Sequence, residues 1–160
     1  MKRLMIVSTF LLFHFNGDAQ SQITTPATPD QVEFLRYVMS SIASPFIDPQ
    51  VAKMNAADFV ILFGLNSQEE TVLQTAGQAF ATAINNFRSQ EDTITTGNKP
   101  ISEPDRAAIS AAATQLNTTV SALANQILAS VRPGTANLFR QQGDLNAIAT
   151  TGKMAGGNLK

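Results

Sequence analysis

Asp58-Phe-Val-Ile-Leu-Phe-Gly-Leu-Asn66 (DFVILFGLN) decides the fold class, because Phe59 to Phe63 is an unbroken apolar run whose period fits neither helix nor strand uniquely. A lone strand has nothing to pair with, and every neighbouring segment of this chain has helical spacing. The run is therefore read as the end of a buried helix closed at Gly64, where glycine supplies the left-handed conformation of a helix terminus; a short strand is the alternative. Upstream, the segment starts at Asp48-Pro49 and runs through Val51, Met54 and Ala57.

Before it, TPDQVEFLRYVMSSIA reads as a first helix. Thr28 caps it, Pro29 suits the first helical position and Gln31 completes a capping box. Val32, Leu35, Met39 and Ile42 share one face, and Ser44-Pro45 is the expected stop. After it, Ser67 with Glu70 forms a capping box for a long helix, about 68–93, that places Val72, Ala76, Phe80, Ala83, Ile84 and Phe87 on one face. Ser102, Pro104 and Asp105 open its partner, about 103–131. There Ile109, Ala113, Leu116, Val120, Leu123 and Ile127 alternate steps of four and three, the seam of a helix packed nearly antiparallel on a neighbour. Arg132-Pro133-Gly134 ends it, and a shorter helix over 135–149 is expected to turn Leu138, Leu145 and Ile148 inward, with Gly143 as a weak point. The expected fold is all-α: one domain of four to five helices around a long central antiparallel hairpin, occupying 28–150, with a loose Gly-rich tail at 151–160.

The chain begins MKRLMIVSTFLLFHFNGDAQSQ. Lys2 and Arg3 precede an apolar stretch from Leu4 to Phe15, and small residues follow at Gly17 and Ala19, the layout of a secretory signal peptide. Twelve helical residues rise only about 18 Å, short of the roughly 30 Å of a hydrocarbon layer. The reading is cleavage between Ala19 and Gln20, removal of 1–19, a flexible lead-in at 20–27, export to a periplasm or the outside of the cell, and no membrane anchor afterwards. Cleavage after Ser21 is the alternative.

Export changes the chemical inventory. His14 is the single histidine, the chain has no cysteine, and loss of the leader removes the imidazole too. Nucleophilic catalysis by Ser-His or Cys-His pairs is then excluded, as are disulfides and the common zinc and carboxylate-histidine di-iron sites. No S-x-x-K pair, G-x-S-x-G, P-loop or dinucleotide fingerprint occurs. No metal and no cofactor is expected. Of 11 basic and 12 acidic residues, Lys2, Arg3 and Asp18 leave with the leader, and the remaining basic residues are scattered singly, which disfavours nucleic acid. Charged residues are 14% of the chain against about 25% in ordinary soluble domains, so amides and hydroxyls must wet the surface, and such a surface opposes self-association weakly.

Carboxylates are the remaining catalytic groups. Asp30, Glu33, Asp48, Glu69, Glu70, Glu103 and Asp105 fall in first turns or caps, where the helix dipole accounts for them. Asp58, directly before the apolar run, is the candidate acid or base, although an acid at such a place is more often a helix-face or cap residue. Phe59 and Phe63, four apart in the most apolar stretch, are the candidate pocket or partner surface, the bland reading being ordinary core. Asn117-Thr118-Thr119 matches a glycosylation acceptor by chance in mid-helix. The leading expectation is an exported, non-enzymatic helical module acting by binding an unidentified protein partner or by self-association. The alternatives are a carrier of a small apolar ligand in the bundle interior and, behind it, a carboxylate-dependent hydrolase.

Overall fold

The structure, a computed structural model, describes residues 25–47, 56–96 and 100–155. The leader with its Ala19/Gln20 junction and the expected helix start at Asp48 lie outside the described residues. Among those described, the chain is all-helical: α1 is Pro29–Ile47, α2 Ala56–Phe63, α3 Ser67–Thr95, α4 Glu103–Ser130 and α5 Pro133–Ala155. DFVILF belongs to a helix. Gly64, at φ 60°, closes α2, and the Leu65 N–H donates back to the Val60 carbonyl at 3.1 Å, the hydrogen bond that satisfies an otherwise orphaned carbonyl at a helix end.

α3 and α4 form the long hairpin, of 29 and 28 residues. α1 lies against both and against α5, and its Leu35, Val38, Met39 and Ala43 are fully buried. The hairpin supplies length, whereas α1 supplies the enclosed centre. Beyond Ala81, α3 has no buried residue, and Phe87, Ile94 and Ile109 are only half-buried. The far end of the hairpin thus stands clear of the core. Along its exposed sides Thr71, Thr82, Thr93, Thr114 and Thr118 each turn the hydroxyl back to the carbonyl four residues earlier, so these uncharged side chains find partners on their own helix.

Two expected boundaries move. α1 continues through Ser44-Pro45 to Ile47: a proline in the last turn removes only a terminal hydrogen bond. α5 runs from Pro133 to Ala155, covering the first half of the tail expected to be loose. The capping box of α3 also shifts by one residue. Asn66 is the cap, its side chain accepting the Glu69 N–H at 2.9 Å while Glu69 accepts the Asn66 N–H at 3.0 Å. Glu70 instead faces outward and accepts from the Gln74 amide at 3.1 Å. The box of α1 (Thr28 and Gln31) stands as read; at the expected start of α4 Ser102 and Asp105 form a further capping box, and hydrogen bonds from Ser102 hold the Asp105 carboxyl below its usual range.

α1 meets its neighbours at two glycines. A Cβ on Gly77 would lie 2.5 Å from Ile42 Cγ2, and one on Gly143 would lie 2.7 Å from Gln31 Cα. Gly143 is therefore no weak point of α5; it is the place where α5 crosses α1 backbone to backbone. Gln31, itself buried, fastens that crossing: its Nε2 donates to Asp144 Oδ1 at 3.1 Å, and its Oε1 accepts from Arg140 Nη1 at 2.9 Å. Arg140 also donates to the Thr25 carbonyl at 2.6 Å, holding the chain where it enters α1. Because the Gly77 clash falls on a side chain and the Gly143 clash on backbone, Gly143→Ala is expected to lower urea stability by about 2 to 3 kcal/mol and Gly77→Ala by about 1 to 2 kcal/mol, in that order, with overpacking outweighing the gain in helix propensity.

Candidate functional site

The turns at one end of the bundle position α2. Glu69 is 1% exposed, and a carboxylate that deep requires partners on both oxygens. Arg132, between α4 and α5, provides them. Its Nη2 reaches Glu69 Oε2 at 2.8 Å, and its Nε and its own N–H reach Oε1 at 3.0 and 2.9 Å. The same Nη2 donates to the Gly64 carbonyl at 3.1 Å. One ion pair thereby ties the α2–α3 turn to the α4–α5 turn, 63 residues away in sequence. Burial pushes the Glu69 pKa up, but hydrogen bonds from the Arg132 side chain, the Asn66 N–H, the Thr135 hydroxyl and the Arg132 N–H outweigh it and lower the value from 4.5 to about 2.

With its C-terminus fixed, α2 turns one face in and one face out. Phe59 stacks on Phe63 with centroids 6.1 Å apart. Phe63 in turn meets Phe34 edge-on at 6.3 Å and Phe139 at 5.2 Å. Phe34, Phe59 and Phe139 are buried and Phe63 half-buried, so the two phenylalanines singled out from the sequence are brought together as part of an aromatic core filled by its own rings. The exposed apolar side chains of α2 are the intervening pair, Ile61 at 82% and Leu62 at 63%. Asp58 stands half-buried in the first turn of α2, where the helix dipole favours a negative charge.

α5 carries exposed apolar residues of its own. Leu138 and Leu145, expected inward, are 43% and 56% exposed, while Thr135 and Phe139 are buried and Gly143 lies on α1. The close crossing at Gly143 fixes which side of α5 faces in and leaves the two leucines outside. Since Phe63 touches Phe139, the chain neighbours Leu62 and Leu138 flank a direct α2–α5 contact. Four of the six large apolar residues exposed among the described ones sit on these two helices.

A shallow groove of about 290 Å³ lies elsewhere, between α1 and α4, with Val32 and Val120 at its apolar part and Glu33, Arg36, Asn117 and Ser121 around them. Glu33 and Arg36 form an exposed pair at 3.5 Å, and this is a surface feature rather than an interior cavity. Among the described residues no group of three potential ligands is placed to hold a metal ion, and no helix is long and apolar enough to cross a membrane. Comparison of the chain with protein families, curated proteins and solved structures gives no match.

The Glu69 clamp gives a pH signature. Its folded-state pKa lies below the unfolded one, so its stabilisation is complete above 4.5 and is lost as the pH falls towards about 2. Urea unfolding across this range should show a declining acid limb. In Glu69→Gln most of that limb should disappear, with stability near neutral pH lower by about 3 kcal/mol; an acid limb of unchanged depth in the variant would place the titration on other carboxylates.

Proposed function

We propose that the chain is an exported, non-enzymatic helical module that works by binding a protein surface through the apolar face shared by α2 and α5. The observation that carries this reading is the exposure of Ile61, Leu62, Leu138 and Leu145 on helices held rigidly by the Glu69–Arg132 clamp and the Phe63–Phe139 contact. Large apolar side chains grouped outside the core mark interaction sites more often than idle surface, and rigid helices lose little freedom on binding.

The chemistry of the carboxylates supports a non-enzymatic role. Glu69, the one buried carboxylate among the described residues, is kept ionised by its partners with a pKa of about 2, far from the range in which a side chain both accepts and returns protons near neutral pH. The self-filled aromatic cluster lends little support to a ligand carried in the bundle interior. Export rests on the Lys2-Arg3 start, the apolar run Leu4 to Phe15 and the small residues Gly17 and Ala19.

Two measurements test the proposal. The native protein, isolated from its source, should begin at Gln20 by mass analysis; an intact Met1 would remove the export half. The immobilised chain should retain a defined protein from the compartment in which it is found, and the double variant Ile61→Glu, Leu62→Glu should release that protein at least tenfold more readily while keeping its helical circular dichroism and urea midpoint. Equal retention by both forms would move the binding surface off α2.

A further inference from the structure

We infer, resting on the reading of 1–19 as a cleaved leader, that the exported chain carries a cyclised N-terminus: the glutamine uncovered by cleavage closes on itself to a pyroglutamyl lactam. The modification site is the end that cleavage creates.

The junction reads Gly17-Asp18-Ala19-Gln20-Ser21-Gln22. Cleavage after Ala19 leaves Gln20 first, and the alternative after Ser21 leaves Gln22 first, so both cuts uncover glutamine. A leader needs small residues before the cut and makes no demand for an amide after it, so the two glutamines are a separate feature. Glutamine holds its side-chain amide within reach of its own α-amine, and attack of that nitrogen on Cδ closes an unstrained ring of five atoms. An α-amino group has a pKa of about 7.7 to 8.0, so at neutral pH roughly one in ten has the free electron pair for the attack. In the step the N–Cδ bond forms, the Cδ–Nε2 bond breaks, and a proton passes from the attacking amine to the departing nitrogen, which leaves as ammonia. Nothing is oxidised or reduced, and no co-reactant is consumed.

The fold gives the ring a use. Thr25 and Pro26 are exposed, so the chain enters the bundle from its surface. From there the entry strap is fastened through its backbone: Arg140 donates to the Thr25 carbonyl at 2.6 Å, and the Ala27 N–H donates to Asn125 Oδ1 at 2.8 Å. An exopeptidase working inward from a free amine would remove the very backbone that Arg140 holds. A lactam offers no such amine. It also takes away the terminal charge, and no cationic side chain lies between Gln20 and Arg36, so the approach to α1 is left with Asp30 and Glu33 alone.

The native protein, isolated from its source, is read at its first residue. Its intact mass should fall one ammonia below that of a chain beginning at Gln20 or Gln22, Edman degradation should yield no sequence, and pyroglutamyl aminopeptidase should restore a readable start one residue later. The control is the full chain with its own leader carrying Gln20→Asn and Gln22→Asn, because a ring through asparagine would have only four atoms. This variant should keep its ammonia, give a readable N-terminus and be trimmed by a broad-specificity aminopeptidase that leaves the native protein intact. A native chain that begins at either glutamine with its ammonia retained overturns the ring and leaves export standing. A blocked terminus on the double variant also overturns it, since another group would then be the block. A shortened chain with any other first residue overturns the ring alone, whereas Met1 in place removes the ring and export together.

Discussion

A single buried carboxylate organises one end of the bundle. Glu69 belongs to the first turn of α3, where negative charge suits free N–H groups, but its depth is tolerable only because Arg132 answers both oxygens. Arg132 sits in the α4–α5 turn and also holds the Gly64 carbonyl. The pair therefore sets where α3 begins, where α2 ends and how α5 departs from α4. Those three choices place Phe63 against Phe139 and leave Ile61 and Leu62 facing out. Arg132 keeps 55% of its side chain exposed, so the loss of water falls mainly on Glu69 and the pair contributes less to net stability than its contacts suggest; its larger effect is to exclude other arrangements of the turns, since any of them strands the buried carboxylate.

The seating of α1 is organised by absence of side chains on its neighbours. α1 is approached closely at Gly77 and Gly143, and its own polar Gln31 fastens Arg140 and Asp144 of α5. The consequences run outward. Once Gly143 lies on Gln31, the buried line of α5 is Thr135, Phe139 and Gly143, and Leu138 and Leu145 are committed to the surface. The same crossing that completes the core thus leaves two leucines in contact with solvent.

Much of the architecture was legible in local spacing. The boxes Thr28 with Gln31 and Ser102 with Asp105 are complete within four residues, and Gly64 marks the end of α2 because few other residues adopt its φ. The pairing of Phe59 with Phe63 follows from their separation of four on a helix. What local spacing could not decide was a choice between equals. Asn66-x-x-Glu69 and Ser67-x-x-Glu70 are overlapping capping boxes, and Arg132, distant in sequence, selects the first. On α5 the line of Leu138 and Leu145 looks more apolar than that of Thr135, Phe139 and Gly143, but only the line bearing a glycine can approach the α1 backbone. Spacing alone singles out Phe59 and Phe63, but the exposed pair, Ile61 and Leu62, lies between them, because a helix lying on a core turns one side to the rings and the other to solvent. The signal for it was the unbroken length of the apolar run, longer than one buried face needs.

Glu69 and Arg132 hold the two turns as one unit. A double-mutant cycle by urea denaturation at neutral pH, with Glu69→Gln, Arg132→Gln and the two combined, measures this directly. The combined variant should be barely less stable than the worse single variant, leaving a coupling well above the ~0.5 kcal/mol within which independent sites add. Losses that simply sum would show that the two turns are fixed separately, and the organising role given to this pair would be wrong.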